Sequence, residues 1–85
     1  MENEAIETRR IQLNYPLERV KEPILYRLVT DFGLIPNIRR AQIDVHTGGF
    51  IVLEISGSPA KMEASIHFLR GLGITIEDVG MEPAT

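Results

Sequence analysis

The apolar residues of this chain change period in a fixed order, and that order restricts the fold more than any single motif. From Thr8 onward Ile11, Leu13 and Tyr15 alternate with Arg10, Gln12 and Asn14, the period-2 pattern of a half-buried strand. Pro16 ends it. After a polar connector over 16–22, Pro23 suits the first position of a helix, where its missing N–H costs nothing. Leu25, Leu28, Val29 and Phe32 then fall at i, i+3, i+4 and i+7, one face of an amphipathic helix. Gly33 is placed to stop that helix, and Pro36 blocks its continuation. Ala41, Ile43 and Val45 alternate with Arg40, Gln42, Asp44 and His46 as a second strand. Thr47-Gly48-Gly49 reads as a turn, and 50–56 is a third strand with Ile51, Leu53 and Ile55 inward. Ser58 as N-cap and Pro59 as first helical residue open a second helix. It carries Met62, Ile66 and Leu69 on one face and stops at Gly71 and Gly73. Ile74 and Ile76 mark a fourth strand.

The order is βαββαβ. Each βαβ unit needs a right-handed crossover, and two interleaved units make a ferredoxin-like sandwich of the α+β class. It has a four-stranded antiparallel sheet with two helices on one face. The other face is open, and strands two and four are expected at the edges. At 85 residues the chain is one domain, expected over 8–80 with flexible tails at 1–7 and 81–85.

Composition narrows function by exclusion. The chain has no cysteine, which removes disulfides, iron–sulfur ligation and thiol catalysis from its own repertoire. No apolar run approaches about 18 residues. The segment Met1-Glu2-Asn3-Glu4 has neither the basic nor the apolar part of a signal peptide. A cytoplasmic protein without membrane insertion is expected. No Gly-x-x-x-x-Gly-Lys-Ser/Thr occurs, so ATP hydrolysis by a P-loop is excluded. Ser56, Ser58 and Ser65 have no histidine partner. His46 and His67 lie on different elements, so no metal site, cofactor or enzyme activity is expected. Asp44 and Glu54 face outward by parity, where a cross-strand salt network with Arg10 and Arg40 is expected rather than an acid/base pair.

The net charge of −3 argues mildly against nucleic acid. Glu2, Glu4, Glu7 and Glu82 sit in the expected tails, however, leaving eight acids against nine bases in 8–80. Arg10, Arg40, Gln42, Phe50 and Val52 are expected on the open face, with Phe50 and Val52 as a homodimer contact. Gly49-Phe50-Ile51-Val52 faintly echoes the third strand of RNA-recognition motifs. It supplies one aromatic, and Gln12 stands where another is wanted. Arg9 and Arg10 begin strand one, and Arg39 and Arg40 begin strand two. In this fold strands one and two are expected to run in opposite directions, so the pairs lie toward opposite ends of the sheet as solvated surface, not as one basic patch.

Several segments add to this reading through their order and spacing. They are Pro23-Ile24-Leu25, Phe32-Gly33, the run from Asn37 to Asp44, the run from Ile51 to Gly57, Ala64-Ser65-Ile66 and Phe68-Leu69. Over roughly residues 9–79 the chain resembles the NIL domain family, the small module at the C-terminus of the ATPase subunit of methionine ABC transporters. The resemblance implies regulation: two such domains meet, bind methionine and shut transport down, with the asparagine of the motif tripeptide taking part in binding. Here the tripeptide is Asn37-Ile38-Arg39, which matches at two positions and departs at the third. The resemblance gives Asn37 a ligand-contacting role and Ile38 a place beside it. Arg39 either pairs with a ligand carboxylate or faces solvent. The plainer alternative for Asn37 is a turn residue bonding its own backbone. The expected function is a non-catalytic, dimeric regulatory module that senses a small amino-acid-like ligand or docks a protein partner. The alternative is an RNA-binding accessory protein that uses the open sheet face.

Overall fold

A computed structural model describes residues 5–19 and 22–80. The elements are β1 (Glu7–Tyr15), a short 3-10 turn (Leu17–Arg19), α1 (Ile24–Thr30), β2 (Ile35–Asp44), β3 (Gly48–Gly57), α2 (Pro59–Gly71) and β4 (Thr75–Asp78). The strands form one sheet in the order β2-β3-β1-β4, with every pairing antiparallel. This is the α+β ferredoxin-like architecture, with β2 and β4 at the edges as expected. Of the expected tails, 1–4 and 81–85 lie outside the described residues, while Glu7 already belongs to β1.

The central strands follow their alternation closely. Ile11, Leu13 and Tyr15 of β1 and Ile51, Leu53 and Ile55 of β3 are buried. They pack with Met62, Ile66 and Leu69 of α2, Ile24 and Leu28 of α1, and Leu34 and Ile74. Ser58 caps α2 as read, its hydroxyl accepting from the Lys61 N–H at 3.3 Å, with Pro59 in the first turn. Ser65 is buried inside that helix and donates to the Met62 carbonyl at 2.7 Å, so its hydroxyl is satisfied.

Two elements depart from the pattern. In α1, Pro23 is the N-cap rather than the first helical residue, and the helix has only seven residues. Ile24 and Leu28, an i, i+4 pair, anchor it. Val29 sits about 100° further round the helix and is 47% exposed. Phe32 lies beyond the helix end and packs against Phe68 with ring centroids 5.3 Å apart. In β2, the strand starts at Ile35 and includes Pro36, which an edge strand tolerates. Ala41 and Ile43 were expected in the core but are exposed, Ile43 by 42%, and Val45 falls in the hairpin turn. The physical reason is position. The core lies over β1 and β3, and the start of α1 only borders Ile43 across an open hollow that Ile24, Leu25 and Ile51 also line.

Tyr15 offers a test of the core. Burial pushes its hydroxyl from 10.0 to about 12. The unfolded chain therefore loses this proton first, and the stability tied to Tyr15 falls as pH rises from 10 towards 12. Denaturant titrations at pH 9, 10 and 11 (values set about the ordinary tyrosine range) should show that slope in the wild type and a flatter one in Tyr15→Phe.

Candidate functional site on the open sheet face

β1 and β2 both pair antiparallel with β3, which lies between them, so they run in the same direction. This overturns the expectation that strands one and two oppose each other. The cause is the βαβ crossover: α1 carries the chain back to the end of the sheet where β1 began. The arginines at the starts of these strands are therefore brought together. Arg10 lies opposite Glu54, and Glu54 lies opposite Asn37 on its other side. Two residues along β3, Val52 lies between Gln12 and Arg40.

A β-bulge sharpens the arrangement. The β2–β3 register steps from Ile38↔Leu53 to Arg40↔Val52, leaving Arg39 as the extra residue. Counting back from Arg40 by strict alternation would send Asn37 to the helix side. The bulge instead puts Asn37 in the open-face row with Glu54 and Arg10. Ile38 goes opposite buried Leu53, on the helix side and away from this face. Arg10, Gln12, Arg39, Arg40, Val52 and Val79 line one hollow of about 420 Å³. The expected dispersal of the arginines is thus corrected for three of the four. Arg9 is the exception, lying 3.8 Å from Glu63 and 3.6 Å from Asp78.

The charges in and beside the hollow are arranged unequally. Arg10 donates from Nη2 to Glu54 Oε2 at 2.5 Å. That hydrogen bond, helped by the charges of Arg10 and Arg39, holds the Glu54 carboxyl below the usual glutamate range. This is one link of the expected network; among the described residues the ion pairs do not include Asp44. Among the described residues, Arg10 Nε is buried without a hydrogen-bond partner. The Arg40 guanidinium sits 5.6 Å from the centre of the Phe50 ring, within cation–π reach. Among the described residues the ion pairs involve neither Arg39 nor Arg40. Gln12 donates to Asn14 at 2.8 Å and Asn14 to Glu77 at 3.2 Å, which orders the amides beside the hollow.

Phe50 and Val52 are half-buried on this face, with Gln42 opposite Phe50. His46 and His67 are exposed. Among the described residues no group of three His, Cys, Asp or Glu side chains is placed to hold a metal ion. Among the same residues no helix is long and apolar enough to cross a membrane. The sequence reading missed Gln12 and Val79 as parts of the hollow. Gln12 could have been found from the alternation of its strand. Val79 has no such signal: it follows β4 and is tied down by its N–H to the Arg10 carbonyl at 3.0 Å.

Three comparisons bear on this geometry. A family model for the NIL domain matches residues 9–78. The "Methionine import ATP-binding protein MetN" of Ralstonia nicotianae is 32% identical over 63 residues, covering 71% of this chain and 18% of that protein. The chain thus spans less than a fifth of that relative's length. The fold is shared with the crystal structure of the C-terminal domain of an ABC transporter/ATP-binding protein from Enterococcus faecalis. The TM-score is 0.72 at 23% identity, over 87% of this chain and 86% of that one.

Proposed function

Because the chain belongs to the NIL domain family, we propose that it is a non-catalytic regulatory module that works as a pair and senses a small amino-acid-like ligand at the open-face hollow. The observation that carries this is the bulge at Arg39, which sets Arg39 and Arg40 side by side beside Glu54 and two valines. Guanidinium groups without carboxylate partners suit a ligand carboxylate. Beside the hollow, the Glu54 carboxylate and the amide oxygen of Asn37, opposite each other across β3 and β2, suit an ammonium. Val52 and Val79 give an apolar side chain somewhere to lie. Methionine is the first ligand to test, since the import protein it resembles is named for it. A ligand that favours one state of a domain pair shifts that equilibrium without chemistry, and the chain would pass the shift to a transporter ATPase or another protein partner.

The test is thermal unfolding against a panel of amino acids. At a concentration of 100 times Kd a ligand adds about 2.7 kcal/mol, which raises the Tm of a domain this size by roughly 10 °C or more. Arg39→Ala and Asn37→Ala should abolish the rise, and Ile38→Ala, on the other face, should keep it. A panel in which no amino acid moves Tm would sink the ligand reading.

The convergence of Arg10, Arg39 and Arg40 also favours a second reading, single-stranded RNA on the same face. Against it, Phe50 alone among the two tyrosines and three phenylalanines lies there, beneath Arg40. Salt-dependent RNA binding lost in Phe50→Ala would support the second reading over the first.

A further inference from the structure

We propose that the ligand of the open-face hollow is an acidic amino acid, whose second carboxylate is held by Arg40. This rests on the amino-acid reading above and narrows it to a substrate class.

The surplus of positive charge points to that class. Among the described residues the hollow is lined by the guanidinium groups of Arg10, Arg39 and Arg40 and by no carboxylate. Glu54 stands beside it and is taken by Arg10 at 2.5 Å, in a pair whose side chains are both mostly covered. Arg39 and Arg40 are left without a carboxylate among the described residues. A zwitterionic amino acid brings one carboxylate and one ammonium, so it answers one of the two arginines and leaves the surplus charge unchanged. An α-amino dicarboxylate answers both. Methionine would instead lay an uncharged side chain against the second guanidinium and strip water from it without giving it a partner.

Position divides the roles. Asn37 and Glu54, which suit the ammonium, face each other in one cross-strand row. Arg39, the extra residue of the bulge, comes between that row and Arg40, which suits it to the α-carboxylate. Arg40 belongs to the next row, opposite Val52. Glu54 and Val52 are two residues apart on β3, about 6.8 Å along the strand. That is comparable to extended glutamate measured from its amino nitrogen to its far carboxylate oxygen. Val52 and Val79, the apolar part of the lining, suit the methylenes between. Phe50 steadies Arg40 without occupying it. The guanidinium lies 5.6 Å from the ring centre, a contact with the π face that leaves the planar fork of N–H donors for a carboxylate.

Isothermal titration calorimetry of the full chain at low salt tests this with L-glutamate, L-aspartate, L-methionine and glutarate. L-glutamate should bind about tenfold or more tighter than L-methionine. L-aspartate should fall between them, and added sodium chloride should narrow the gap. Arg40→Gln should cost L-glutamate that advantage and leave L-methionine unchanged, while Arg40→Lys should keep part of it. Arg40 is exposed, so Tm without ligand should stay the same in both variants. L-methionine binding as tightly as L-glutamate, or an Arg40→Gln change that weakens both alike or neither, overturns the acidic ligand and leaves the amino-acid reading standing. Glutarate binding as tightly as L-glutamate keeps the carboxylate at Arg40 and overturns the ammonium contact of that reading. Silence from all four overturns this proposal, and the wider amino-acid panel then decides the reading it rests on.

Discussion

Leu53→Ala is expected to lower the free energy of unfolding by roughly 3–4 kcal/mol. Leu53 is fully buried on β3, between Ile11 of β1 and Ile38 of β2, beneath the helix layer. Truncation removes its transfer energy and opens a cavity that paired neighbours on both sides cannot collapse to fill. A domain of this length has in total about 4–13 kcal/mol at ordinary per-residue stability, so the variant should sit near the edge of folding. Val52→Ala, one residue away on the half-buried open face, should cost about 1 kcal/mol or less by the same scale. Urea titration of both variants measures the contrast. A loss below about 1 kcal/mol at Leu53 would mean the core is looser than its packing implies.

Gly48→Ala is the second large effect, at roughly 2–4 kcal/mol from a left-handed backbone and a steric overlap together. Gly48 has φ +91°, and a Cβ there would lie 2.5 Å from the Tyr15 carbonyl oxygen. That oxygen is backbone on a central strand and cannot swing aside. Gly49 is pinned differently: its φ needs no glycine, but a Cβ would meet the Gln42 carbonyl oxygen at 2.2 Å and Ile43 Cα at 2.7 Å. Gly49→Ala should therefore act on the edge strand, speeding amide exchange over residues 40–44 relative to the rest of the sheet. Gly33→Ala is the control. It keeps the conformational penalty of φ +65° with nothing within 4 Å of the new methyl, so about 1–2 kcal/mol is expected. If Gly48→Ala costs no more than Gly33→Ala, the close approach to Tyr15 is relieved by backbone movement.

What was legible in the sequence follows from burial. β1, β3 and α2 each bury one face against the core, so their apolar residues repeat with the element and both type and orientation could be read. α1 and β2 are peripheral. Only Ile24 and Leu28 of α1 are buried, too few to set a period, and β2 buries almost nothing. The shared direction of β1 and β2 is implicit in the crossover rule, and it gathers arginines that opposing strands would scatter. The bulge left a faint trace: Ile38, Ala41 and Ile43 share the helix side at spacings of three and two, where an unbroken strand would show only twos. Arg39 and Arg40 are both polar, so nothing in their chemistry marks which of them is the extra residue.

The bulge also has a meaning at the level of the gene. A strand read in twos has only two phases, and one inserted residue switches between them. Loss of the Arg39 codon would return β2 to strict alternation without changing any core residue. Upstream of the deletion the chain would have to choose between slipping its register and turning over, so that Asn37 and Ile38 exchange faces. Which half of that dipeptide shares the open face with Glu54 and Arg10 is decided by a single in-frame triplet.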